Sequence, residues 1–213
     1  MRVLNSDIEF PAVENAGREG LLCIGGDLSP ERLLLAYRNG IFPWYSEGDP
    51  ICWWSPPERM VVFPRDYVAP KNLRNVLNRK LFTVTFNREF EKVIAGCRFS
   101  KRNGQDGTWL TQEMHEAYLE MHRLGHAKSV EVWQEDELVG GLYGMDMDGV
   151  FCGESMFSQV PNASKYAFAF LIEKLKLENY RLLDCQVHNH HLESLGAKTI
   201  PRKDFIQILR HSG

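Results

Sequence analysis

The chain has 213 residues, 44% hydrophobic and 25% charged, with a formal net charge of -3. That predicts one or two folded domains with a sizeable core, and excludes a globally basic nucleic-acid binder, so any nucleic-acid contact must be a local patch. Five cysteines without a CxxC pattern predict a reducing compartment, not a disulfide framework. No apolar run approaches the ~18 residues of a membrane span, and the first residues lack the apolar core of a signal peptide. These readings predict a cytoplasmic protein.

Residues 1–28 read as an irregular lead with one strand-like piece. Gly25-Gly26-Asp27 is a tight turn, with no lysine after it to make a phosphate loop. A helix then opens at Ser29-Pro30-Glu31: serine as N-cap, proline at the first helical position, an acid in the first turn. Asn39-Gly40 closes it. The stretch from Gly40 to Val62 follows, with three of the five tryptophans (Trp44, Trp53, Trp54) and four of the ten prolines. Neither helix nor strand reads through it. It predicts a stiff loop whose rings are core or a stacking platform. A domain boundary is predicted near Pro57, dividing the chain into 1–57 and 58–213, with a short apolar strand just beyond it.

Residues 71–80 read as a helix with Leu73, Val76 and Leu77 on one face. Lys71, Arg74 and Arg79 lie on the other, with Lys80 at the end. A strand at 82–86, a helix at 90–97, a polar loop at 100–107 and a helix capped by Thr111 follow. From Ser129 the period changes to two, and turns at 135–137 and 148–149 predict an antiparallel meander. A long helix covers 162–178, an apolar strand 181–187, and short helices 192–196 and 203–210. The order predicts an α/β (α+β) protein with a small N-terminal domain. Its larger part resembles the acetyltransferase-like (GNAT-like) fold, with a mixed, mostly antiparallel sheet.

Polar groups stand on strands otherwise built for burial. Glu154 and Met156 are two apart and so share one predicted face, as do Asp184 and Gln186. A carboxylate in an apolar strand is costly unless paired. One alone reads as a satisfied core group; Glu154 and Asp184 together, beside Gln186, point to a site. His188, His190 and His191 match no zinc-enzyme spacing and have only Glu193 nearby, so a solvated loop is expected and no metal. Cys152 and Cys185 read as small apolar residues. No Walker loop or dinucleotide fingerprint occurs. Residues 158–164 lack the glycine turn that acetyl-CoA pyrophosphate needs, which weighs against an acetyl-CoA-dependent N-acetyltransferase. The basic residues 71–80 gain weight beside aromatic rings, since basic groups hold phosphates while rings stack on bases. A non-catalytic single-stranded nucleic-acid binder would use both, but it leaves Glu154, Asp184 and Gln186 unexplained.

Several motifs, in order along nearly the whole chain, carry a family resemblance. They include Gly26-Asp27-Leu28-Ser29-Pro30, Gly40-Ile41-Phe42-Pro43-Trp44, Trp53-Trp54-Ser55-Pro56, Gly107-Thr108-Trp109, Phe151-Cys152-Gly153-Glu154-Ser155, Asp184-Cys185-Gln186 and Ser194-Leu195-Gly196-Ala197. On these the chain resembles the leucyl/phenylalanyl-tRNA–protein transferases. The resemblance implies transfer of leucine or phenylalanine from leucyl-tRNA or phenylalanyl-tRNA to proteins with N-terminal arginine or lysine, which marks them for N-end rule degradation. It implies a clamp on the 3′-terminal adenine from Trp44 and Trp109, and an amino-acid pocket near Met156, Phe168 and Leu171. It implies a proton relay at Asp184 and Gln186, with Glu154 beside it, and tRNA backbone contacts from Lys71, Arg74, Arg79 and Lys80. No cofactor or metal is implied. The ester is already activated, so holding amine and ester together supplies most of the acceleration. Some relatives carry a C-terminal tail where this chain stops.

Overall fold

A computed structural model describes residues 2–100 and 110–210. The N-terminal part is more regular than the sequence suggests. Strands β1 (Arg2–Leu4) and β2 (Leu21–Gly25) pair in parallel. Helix α1 (Pro30–Arg38) begins as expected, with Ser29 Oγ accepting from the Arg32 amide at 3.4 Å. Gly40 ends it at a φ of 70°. A side chain there would also force Ile206 to move, because a Cβ would lie 2.4 Å from its Cδ1.

The tryptophan stretch contains two short strands that the proline content conceals: β3 (Phe42–Pro43) and β4 (Cys52–Trp54). They complete a four-stranded sheet in the order β1-β2-β4-β3. Proline is tolerated in β3 because that strand lies at the sheet edge. Trp53 is fully buried, its Nε1 donating to the Gly25 carbonyl at 2.9 Å. Its ring meets Phe10 edge-on, so it belongs to the core of this sheet.

Strand β5 (Glu58–Val62) begins the larger sheet. Helix α2 (Lys71–Leu77) is shorter than expected, so Arg79 and Lys80 lie beyond it, with Lys80 at a φ of 50°. Strand β6 (Thr83–Phe86), helix α3 (Phe90–Phe99) and helix α4 (Gln112–Arg123) follow, α4 being capped by Thr111. The meander is β7 (Ala127–Gln134), β8 (Glu137–Asp146) and β9 (Val150–Ser158). Asp148 and Gly149 both have positive φ at the β8–β9 turn, the geometry favoured in two-residue hairpins. Helix α5 (Ala163–Leu177) crosses to β10 (Leu182–Asp184), which pairs parallel to β9. Helix α6 (His190–Ser194), strand β11 (Lys198–Pro201) and helix α7 (Arg202–Arg210) close the chain. Strand β11 is absent from the sequence reading; it pairs with β5, a partner far away in sequence.

The seven strands run β11-β5-β10-β9-β8-β7-β6, antiparallel except for β9–β10. This is the mixed, mostly antiparallel sheet that the sequence predicts. The apolar side chains of α5 pack on one sheet face. Those of α3 and α4 cover the other, in a core continuous with the small sheet and with α7. No described helix is long and apolar enough to cross a membrane.

Candidate active site

The site arises where the large sheet comes apart. The ladder between β9 and β10 ends at the pair Asp184 and Cys152. The predicted strand 181–187 stops there because the chain turns: Gln186 takes a φ of 63°. Such a conformation is unusual for a residue other than glycine. The Asp184 carboxylate holds it, Oδ1 accepting from the Gln186 amide at 2.8 Å. The turn is tied on its other side by Met60, whose amide donates to the Gln186 carbonyl at 3.0 Å.

Strand β9 also departs from regular alternation. Tyr143 pairs with Ser155 but Gly144 pairs with Gly153, so Glu154 is the extra residue of a β-bulge. The bulge reverses the faces beyond it. Glu154 and Met156 therefore do not share a face, contrary to the period-two expectation. Met156 packs with the α5 side of the sheet. Glu154 meets tyrosines of the opposite side: Tyr118 Oη donates to its Oε2 at 3.0 Å, and Tyr37 Oη is 2.6 Å from Tyr118 Oη. The gap between the parted strands is bridged by side chains, with Gln186 Nε2 donating to Glu154 Oε1 at 2.9 Å.

Burial pushes the Glu154 carboxyl up to about 7, and the negative charge of Asp184 adds to the rise. Hydrogen bonds from Tyr37, Gln186 and Tyr118 pull it partly back. Burial, and then the nearby Glu154 charge, hold both tyrosine hydroxyls well above their ordinary range, so they remain protonated donors.

Asp184 is differently placed. It is fully buried and faces Arg59, itself 1% exposed. The guanidinium binds it in fork geometry, Nε to Oδ1 at 2.9 Å and Nη2 to Oδ2 at 2.8 Å. Arg59 also donates to the Gly40 carbonyl at 3.1 Å and lies between the rings of Phe42 and Phe205. Both Asp184 oxygens are thus engaged within the protein. Asp184 and Gln186 do not act as same-face neighbours on a strand; one carboxylate fixes the other residue's backbone. Burial pushes the thiols of Cys152 and Cys185 up, which suits inert packing.

A cavity of about 330 Å³ opens at this point. Its wall combines Met156, Phe168 and Leu171, which the family resemblance assigns to an amino-acid pocket, with Glu154, Gln186 and Trp44. Trp44 is 39% exposed. Its carbonyl accepts from Trp54 Nε1 at 2.7 Å and its ring tilts against that of Trp54. Trp109 lies outside the described residues. Asp184 is not on the cavity wall. Lys71, Arg74, Arg79 and Lys80 are exposed, away from the cavity lining. His188, His190 and Glu193 converge on the outer side of α6.

Residues 61–210 match the family described as leucyl/phenylalanyl-tRNA protein transferase, and residues 26–57 match the N-terminal domain of the same transferase. The chain belongs to this family. Leucyl/phenylalanyl-tRNA–protein transferase of Flavobacterium johnsoniae is 59% identical over 210 residues, 99% of each chain. That of Flavobacterium psychrophilum is 57% identical, covering 99% of this chain and 100% of the relative. The transferase of Azotobacter vinelandii is 52% identical over 96% of this chain and 91% of its own length. The protein is an aminoacyltransferase that moves leucine or phenylalanine from tRNA to protein amino termini.

The geometry draws attention to three residues that pattern reading passed over. Tyr37 and Tyr118 occupy apolar faces of α1 and α4, where a tyrosine reads as core. Arg59 is the second residue of β5 and reads as an ordinary surface cation near a strand end. A buried acid at Asp184 demands a cationic partner, so the need for such a residue was visible; which arginine supplies it was not.

Proposed function

We propose that Glu154 meets the attacking α-amine and that Asp184 and Arg59 are positioning residues acting through Gln186. The observation that carries this is placement: Asp184 is buried off the cavity with both oxygens on Arg59 and Gln186, whereas Glu154, held by Tyr118 and Gln186, is a partly exposed carboxylate on the cavity wall. A carboxyl titrating near 7 is matched to an α-amine of pKa about 7.7–8.0. In the reaction the amine nitrogen forms a bond to the ester carbonyl carbon. The bond from that carbon to the ribose oxygen breaks. Glu154 accepts the proton shed by the nitrogen and passes it to the departing ribose oxygen, which leaves as a hydroxyl, so the carboxylate is restored.

The leucine or phenylalanine side chain lies against Met156, Phe168 and Leu171, where a flexible thioether accommodates both shapes. Trp44 stacks on the 3′-terminal adenine, with Trp109 as its partner. Lys71, Arg74, Arg79 and Lys80 hold tRNA phosphates. The acceptors begin with arginine or lysine, drawn by the Glu154 charge, and the product enters the N-end rule route. Residues 1–57 serve chiefly to present Trp44, and 58–213 carry the chemistry. A tRNA donor and five free cysteines suit a cytoplasmic address. The test is transfer of labelled leucine from its tRNA to peptides beginning with arginine, lysine or alanine. Arginine and lysine peptides should be labelled and alanine peptides should not. Equal labelling of alanine peptides would defeat the acceptor assignment.

A further inference from the structure

One cluster of ligand-type side chains lies outside the transfer chemistry. His188 follows β10, and His190 and Glu193 lie on α6. His188 Nε2 is 3.2 Å and His190 Nδ1 is 3.4 Å from the same oxygen, Glu193 Oε2. All three ligand atoms lie within 4.8 Å of one another. In a tetrahedral zinc site with bonds of about 2.0–2.1 Å, adjacent ligand atoms are about 3.3 Å apart. Two edges of such a site are therefore already formed. The third, between the imidazoles, closes by side-chain rotation, since His188 and His190 are both exposed at the surface.

We propose that His188, His190 and Glu193 form a binding site for a borderline divalent transition-metal ion of the Zn2+ type. Two imidazole nitrogens and one carboxylate oxygen are the donor set such ions prefer, whereas Mg2+ and Ca2+ select oxygen ligands. Water completes the coordination. Helix α6 separates this site from the cavity. Asn189, His191 and Leu192 line the cavity, and Asn189 Oδ1 caps α6 by accepting from the amides of His191 and Leu192. An ion held by His188, His190 and Glu193 joins the preceding segment to the body of the helix. It thereby stiffens one wall of the aminoacyl site.

The test is calorimetric titration of the full, tag-free chain with Zn2+ and, separately, Mg2+. Zn2+ should bind with one-to-one stoichiometry, and Mg2+ should not bind. His190→Ala and Glu193→Gln should each weaken Zn2+ at least tenfold; both positions are exposed, so the fold tolerates the change. Hydrogen exchange of residues 189–195 should slow on Zn2+ saturation in the parent chain but not in His190→Ala. Absence of saturable Zn2+ uptake, or uptake unchanged in a His188→Ala/His190→Ala variant, overturns the site. Unchanged exchange in 189–195 at saturation overturns the coupling to the cavity wall.

Discussion

Glu154→Gln isolates the electrostatics of the site from the chemistry of transfer. Glutamine mimics the protonated carboxyl: its oxygen accepts from Gln186 and its amide donates to Tyr118. The native carboxyl is raised from the ordinary 4.5 to about 7 by burial. The fold therefore binds this proton more tightly than the unfolded chain does. The resulting stabilisation is complete below pH 4.5 and is lost as pH rises through about 7. At 1.36 kcal/mol per unit, the loss is about 3 kcal/mol. Glu154→Gln has no such proton to lose. Its stability relative to the parent should thus rise by about 3 kcal/mol between pH 4 and pH 8, while every other titrating group cancels in the comparison. For a chain of this length that is roughly 6–12 °C in Tm at the alkaline end. The assay is thermal or urea unfolding of both proteins across the pH range, with transfer measured alongside. Transfer should fall sharply while donor affinity holds. A stability difference that stays flat from pH 4 to pH 8 would refute the claim that burial raises the carboxyl.

Arg59→Met leaves Asp184 buried without a cation and should cost about 3–5 kcal/mol of stability. Adding Asp184→Asn should recover most of that in urea unfolding; losses that merely add would contradict the pairing argument. Trp44→Ala should weaken use of the aminoacyl-tRNA by about 1–3 kcal/mol per stacked base, read as a higher apparent KM. An unchanged KM counts against the stacking role. Replacing Lys71, Arg74, Arg79 and Lys80 together by alanine should lower the slope of log affinity against log salt by about 0.7–0.9 for each phosphate that is no longer neutralised. An unaltered slope would place the tRNA backbone elsewhere.

The legible parts of this chain were those governed by short-range rules. Helix α1 carries its own punctuation in Ser29, Pro30 and Gly40, and the meander is written in period-two alternation and in Asp148-Gly149. Motifs that run along nearly the whole chain disclose the family, because each is a contiguous string. The resemblance implies an amino-acid pocket near Met156, Phe168 and Leu171, and these three side chains share the wall of one cavity. Strands β3, β4 and β11 were not legible. They are two to four residues long, and their pairing partners lie elsewhere in the chain.

The sequence by itself determined the fold class, the family and which polar residues stand among apolar ones. Tertiary structure decided what surrounds each. A single extra residue in β9 turned Glu154 towards Tyr118 and Met156 towards α5, since side chains alternate with a period of two and one insertion exchanges the faces. The pairing of Asp184 with Arg59 spans 125 positions in sequence and puts two similar acids in different surroundings. One is neutralised deep in the core, where an unpaired charge is too costly. The other stands at the parting of two strands, where burial is incomplete and a proton can come and go.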